Sequence, residues 1–244
     1  MKQTLHFDYT AVGHVTIDVL ADGTRQPGGA AFYSALQAAR LGSSAQIVTQ
    51  GVPTEIEELL EPYRGELELR ILPAPATTTL ATSGTGTQRS QRMLAWAGPI
   101  AAQLPLDTAI LHLAPVAREI LPGRRAHSGF VGLTPQGLAR RWPGPDGEIR
   151  LSALQPESAT LGAQADAVVI SELERASCEA LIAAARARGA IVVITDGEHP
   201  STIMHGRGSP SSCAVPPLTE PVEDLGAGDV FAAALFVALA EGVT

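Results

Sequence analysis

Ala167-Val168-Val169-Ile170, then Ser171 to Arg188, then Gly189-Ala190-Ile191-Val192-Val193-Ile194-Thr195, is the stretch on which the fold turns. Two short, continuous, β-branched apolar runs flank a segment, Glu172 to Arg188, rich in Ala, Leu, Glu and Arg. Continuous apolar strands are those of a parallel sheet covered on both faces, because a half-exposed strand would alternate apolar and polar residues. The same pattern recurs outward along the chain. Strands are expected at Ala45–Thr49, Ala109–Leu113 and Gly129–Leu133, with helices between them, and a helix at Ala30 to Leu41 stops at Gly42. Leu5–Val12 and Val15–Leu20 read as strands broken by Gly13, and Thr54 with Glu57 suggests a capping box for a short helix through Glu61. Ser201–His205 with Cys213–Pro216 predicts a hairpin near the end, and a last helix is expected from Gly226 to about Glu241. The stretch Glu66 to Ala97 departs from this rhythm. It carries three strand-like runs around Gly84–Gly86 and no helical period, which suggests a β excursion from a single α/β domain.

Composition narrows the function. The chain has 244 residues, 45% hydrophobic and 17% charged, with 25 acids against 17 bases and a net charge of −8. That much apolar surface argues for a packed core, and an acidic chain without a basic run is a poor match for a nucleic-acid backbone. Lysine occurs once, at Lys2, which excludes a P-loop lysine or a Schiff-base lysine. Cys178 and Cys213 read as small apolar residues, with neither a disulfide framework nor a zinc pattern around them. The longest apolar run, Val230 to Ala240, is too short to span a bilayer. No basic-plus-apolar leader is apparent at the N-terminus, so the expectation is a cytoplasmic protein with no membrane partner.

A parallel α/β sheet suggests a phosphate-bearing ligand, yet no GxGxxG, GxxxxGK or GxSxG occurs. The loop left to bind an anion is Gly226-Ala227-Gly228-Asp229. Glycines let backbone amides approach closely, and a helix N-terminus offers unpaired donors and partial positive charge. An acid there can accept a proton from a hydroxyl, or it can merely complement the helix dipole.

This loop, together with Gly28-Gly29-Ala30-Ala31-Phe32-Tyr33-Ser34-Ala35 and Ala39-Arg40-Leu41-Gly42, resembles the two motif regions of the ribokinase-like (PfkB) carbohydrate kinases. The resemblance extends to Gly13–Asp18, to Val131–Gly137, to Ser171-Glu172-Leu173-Glu174 in place of an Asn-x-x-Glu, and to Thr195-Asp196-Gly197. It implies a three-layer αβα fold with a mostly parallel central sheet and a small β lid, here residues 66–97 with a short turn at 19–27. It further implies an ATP- and Mg²⁺-dependent kinase acting on a sugar, cyclitol or related polyol. On that resemblance Asp229 is the general base and the Gly226, Ala227 and Gly228 region, with the Asp229 amide, is the anion hole. Asp18, Gly28, Gly29 and Tyr33 bind substrate, with a lid arginine, Arg89 or Arg92. Thr195 and Gly197 face the nucleotide, and Glu174 organises magnesium indirectly. A homodimer through the lid is a further implication.

Departures from the family pattern leave alternatives open. Tyr33 replaces an asparagine and predicts a different substrate pocket. Ser171 with Glu174 also makes a plain capping box. Leu225 cannot donate a hydrogen bond, and the chain ends about 15 residues past Asp229, which predicts an incomplete adenine wall. A nucleoside kinase and a non-catalytic ligand-binding member of the same fold are the alternative readings.

Overall fold

The computed structural model describes residues 6–84, 90–101, 105–123, 127, 129–217 and 225–243. The chain opens with β1 (Phe7–Val12), the hairpin β2 (Thr16–Val19) and β3 (Arg25–Gly28), and α1 (Ala30–Arg40). β4 (Ala45–Gly51), α2 (Pro53–Leu59), β5 (Leu67–Pro73), β6 (Thr79–Ser83) and β7 (Ser90–Ala95) follow. Then come β8 (Thr108–Leu113), β9 (Phe130–Leu133), α3 (Gln136–Ala139) and three two-residue strands, β10 (Arg140–Arg141), β11 (Gly147–Glu148) and β12 (Arg150–Leu151). The chain continues through α4 (Ala159–Gly162), β13 (Ala167–Ser171), α5 (Glu172–Arg175), α6 (Glu179–Arg188), β14 (Ile191–Asp196), β15 (His199–His205), β16 (Ser211–Cys213) and α7 (Ala227–Ala240).

Nine strands form the main sheet, in the order β16-β15-β14-β13-β9-β8-β1-β4-β5. From β14 to β5 all seven are parallel. β15 and β16 close the far edge antiparallel, the expected terminal hairpin. Period-two alternation divides the strand residues between two cores. Ala167, Val169 and Val193 face one side and pack with α1 and α7. Val168, Ile170, Val192 and Ile194 face the other and pack with Leu181, Ile182 and Ala185 of α6. This is the three-layer αβα arrangement expected.

α1 lies close to the sheet because its inner face is small: Ala31, Ala35 and Ala38 are fully buried. Beside it on the same face, α7 inserts Phe236 against Gly132, where a Cβ would stand 2.3 Å from the ring. Burying a side chain of that size contributes about 1.5–3 kcal/mol.

Several local expectations are corrected. Leu67–Pro73, grouped at first with the β excursion, pairs in register with β4 and is the edge strand of the main sheet. The second sheet is instead five-stranded, in the order β11-β7-β6-β2-β3. The stretch 19–27 is therefore no mere turn, since Thr16–Val19 and Arg25–Gly28 are a hairpin of this sheet. The chain leaves the main sheet at Gly13, which lies so close to the Ala114 carbonyl that a Cβ would meet its oxygen at 2.1 Å. Leu80 and Met93 fasten the second sheet to the body by packing on Val116, Ala117, Trp142 and Ile149. Thr54 does not cap its helix, because Pro53 needs no donor partner at the first helical position and Val52 takes the cap. The 172–188 segment breaks at a 3₁₀ turn, Ala176–Cys178, into α5 and α6. No helix is present between β8 and β9 among the described residues.

Candidate active site

The first turn of α7 is set by Gly226, a left-handed residue with φ of 78°. Its carbonyl accepts from the amides of Asp229 (3.0 Å) and Val230 (2.9 Å). The Asp229 amide is therefore engaged within the turn, whereas Ala227 and Gly228 are exposed. α1 braces this turn. The Ser34 hydroxyl donates to the Asp229 carbonyl (3.2 Å), and a Cβ on Gly226 would lie 2.4 Å from the Tyr33 ring. Residues almost 200 positions apart thus form one turn-on-ring contact.

Tyr33 links this turn to the β2–β3 hairpin, its hydroxyl lying 3.4 Å from the Pro27 carbonyl. Asp18 sits on the hairpin, 2% exposed, and accepts from Thr16 Oγ1 at 2.8 Å. Its carboxyl lies directly over Gly28, where a Cβ would meet Oδ2 at 2.4 Å. Gly29 then opens α1 with φ of 95° against the His14 carbonyl. Only glycine combines that dihedral with that proximity. Asp18, Gly28, Gly29, Tyr33, Gly226 and Asp229 therefore make one continuous wall.

Arg140 ties the wall together electrostatically. Burial lowers its pKa, opposed by the charges of Glu174, Asp229, Asp18 and Glu119. Its guanidinium donates to the Val116 carbonyl at 3.0 Å. Asp229 shows the reciprocal effect. Burial lifts its carboxyl to about 7, Arg140 pulls it down and Glu174 pushes it up. Part of the Asp229 residue remains open to solvent, so the crowding falls on its carboxyl end. A carboxylate with this value is balanced between giving and taking a proton near neutral pH.

Ser171 and Thr195 stand beside each other in register at the carboxyl ends of β13 and β14, the side of an open parallel sheet where ligands bind. Thr195 is half-buried and Gly197, at φ of 57°, is exposed in the turn to β15. Glu174 is buried in the capping box read from the sequence. Its Oε2 accepts from the Ser171 amide at 2.9 Å and from the Ser171 hydroxyl, and its Oε1 accepts from Gln136 Nε2 at 2.9 Å. A carboxylate held this way is a poor direct ligand for Mg²⁺, and no group of three metal-binding side chains is present among the described residues.

Arg92 pairs with Asp146 on an exposed face. Arg89 lies outside the described residues. The cation that does reach the acids, Arg140, was missed by number, although it follows the Val131–Gly137 segment by three positions. Its signal was a charged residue next to a buried apolar turn, Leu138-Ala139, which only the tertiary fold turns inward.

With this geometry the molecule is a three-layer α/β protein. Residues 154–244 match the family model of the pfkB family carbohydrate kinases. A search of the curated proteins gives no sequence match. Among solved structures the chain is similar to a pyrophosphate-dependent kinase in the ribokinase family, in its sulfate complex (TM-score 0.74, 18% identity, 97% of this chain and 89% of that chain covered). It is similar to a pyrophosphate-dependent kinase complexed with a pyrophosphate analogue and myo-inositol (0.74, 19%, 95% and 86%). It is also similar to Arabidopsis thaliana ribokinase complexed with ribose and ATP (0.72, 17%, 98% and 88%). Together these likenesses show a ribokinase-like α/β fold, with the pfkB family match confined to residues 154–244. No helix among the described residues is long and apolar enough to cross a membrane.

Proposed function

We propose that this protein transfers a phosphoryl group to a hydroxyl of a sugar, cyclitol or related polyol. The observation that carries this reading is that the chain of contacts from Asp18 through Gly28 and Tyr33 to Gly226 ends at the Asp229 turn of α7, with the charges of Asp18 and Asp229 both acting on Arg140. Asp18, fixed by Thr16 and Gly28, accepts hydrogen bonds from substrate hydroxyls and sets the ring's orientation. Tyr33 walls the pocket between Pro27 and Gly226. Asp229 takes the proton of the attacking hydroxyl as its oxygen bonds to the donor's terminal phosphorus and the bridging oxygen–phosphorus bond breaks, releasing ADP from ATP or phosphate from pyrophosphate. The Ala227 and Gly228 amides and the helix dipole receive the charge on the transferring group. Arg140 adds a full positive charge beside them and favours the ionised form of Asp229. Thr195 and Gly197 flank the donor.

ATP is the donor we assign. Pyrophosphate is the alternative, because the similar kinase bound to myo-inositol uses it. Magnesium would enter with the donor phosphates and neutralise their charge, with Glu174 acting on it only indirectly. The test is phosphorus NMR of the full chain with Mg²⁺, a polyol and nucleoside panel, and ATP or pyrophosphate in separate arms. A new phosphomonoester resonance from a polyol supports the reading. One formed only from a nucleoside reassigns the substrate class, and none from any pair overturns kinase activity.

A further inference from the structure

Glu119 is fully buried, and nothing in the site reading gives it a task. Its carboxylate is surrounded by backbone donors. Oε1 accepts from the amides of His14 and Val116, both at 2.8 Å, and Oε2 accepts from the amide of Ala117 at 2.7 Å. Three amides from two separate loops thus converge on one side chain. Its own backbone is engaged as well, the carbonyl accepting from Ile100 at 2.8 Å. The residue before it, Arg118, has φ of 61°, a left-handed conformation that a non-glycine residue adopts at a cost. That turn is what swings Glu119 back into the loop it holds.

Both loops carry site residues. His14 leads into β2, two residues before Thr16 and four before Asp18, and its carbonyl is the group lying against Gly29. On the other side the peptide unit joining Val116 and Ala117 donates its N–H, that of Ala117, to Glu119 and accepts from Arg140 at its carbonyl, that of Val116. Glu119 therefore grips the same peptide unit that Arg140 grips. We propose that Glu119 is a positioning residue, which fixes the β2 strand with Asp18 through His14 and fixes Arg140 through the 116–117 peptide. This rests on the kinase reading for its functional consequence but not for the clamp itself.

The test uses the full chain in two independent measurements. Amide hydrogen exchange needs no activity. In Glu119→Gln the side-chain NH₂ would face backbone donors, so segments 13–18 and 114–119 should exchange at least tenfold faster, while 181–187 of α6 should not change. Glu119→Asp, which keeps the acceptor but is one methylene shorter, should restore part of the protection. The second measurement is phosphoryl transfer. A small misplacement of reacting groups is costly, so Glu119→Gln should lower kcat by roughly 10–100-fold. Its effect should largely vanish in an Arg140→Lys background if it acts through Arg140. Unchanged exchange at 13–18 and 114–119 overturns the proposal. Equal loss across all segments in both variants also overturns it, because Glu119 would then be a fold residue only. Full additivity with Arg140→Lys removes the Arg140 limb. A wild-type chain without transfer activity would overturn the kinase reading, and the exchange result would still decide the clamp.

Discussion

The two ends of the site are built differently. Around Asp18 everything is in contact: a 2% exposed carboxyl rests on Gly28, Gly29 touches the His14 carbonyl, and Tyr33 rests on Gly226. Around Thr195 the surface is open, with Gly197 exposed and no atom within 4 Å of where its Cβ would stand. The first end is shaped before any ligand arrives, and its recognition is a property of the fold. The second is an open strand end, and in the proposed reaction it is where the donor lies. Substitutions at the closed end should therefore alter shape and substrate choice. Those at the open end should alter donor affinity modestly.

The largest effect is expected where the two ends meet. Asp229→Asn keeps the shape and removes the base, so kcat should fall about 10²–10⁴-fold in a steady-state assay. The pH dependence has a definite sign. Burial raises the carboxyl from 3.8 to about 7, so the folded state holds a proton that the unfolded chain has lost. Stability from this group is complete below 3.8 and declines as pH rises toward 7, while kcat/KM should climb through pH 7 as the base ionises. Urea titrations across pH should show that decline in the wild type and lose it in Asp229→Asn.

Next comes Arg140→Met. Removing the cation that lowers Asp229 should move the kcat/KM profile to higher pH, and kcat should fall by about 10²–10³-fold, the scale of losing one preorganised electrostatic partner. An unshifted profile would detach Arg140 from Asp229.

A smaller effect tests the closed end by packing alone. Gly226→Ala places a methyl group in the Tyr33 ring at a φ of 78°, which should cost about 1–3 kcal/mol in denaturant unfolding. Tyr33→Ala should relieve the steric share of that loss but not the dihedral share. Gly197→Ala, at φ of 57° with open space around it, should cost only the dihedral share, about 1 kcal/mol, and leave kcat unchanged.

What the sequence revealed follows the same division. Continuous apolar runs such as Val168–Ile170 and Ile191–Ile194 state their own environment, and the parallel sheet was legible from them. The glycine pairs at 28–29 and 226–228 were legible because close approach leaves few alternatives to glycine. Strand pairing was less so. Leu67–Pro73 has the same local appearance whether it pairs with β4 or β6, and Arg25–Gly28 reads as part of a turn until β2 is laid beside it. Long-range charge was illegible. Arg92 and Arg140 look alike as letters, yet one pairs with Asp146 in solvent and the other is buried within the field of several acids. Glu119 lies in a loop with no periodicity, and only the fold brings three amides to it.

The central claim is that Asp229 works as a base on a polyol hydroxyl next to phosphate-binding amides. Phosphorus NMR of the wild type and of Asp229→Asn, each with Mg²⁺, a cyclitol or sugar panel, and ATP or pyrophosphate, tests it most directly. The account predicts a polyol phosphomonoester from the wild type and, at equal protein and time, at least a hundredfold less from Asp229→Asn with its fold intact. Equal product from both proteins would contradict it.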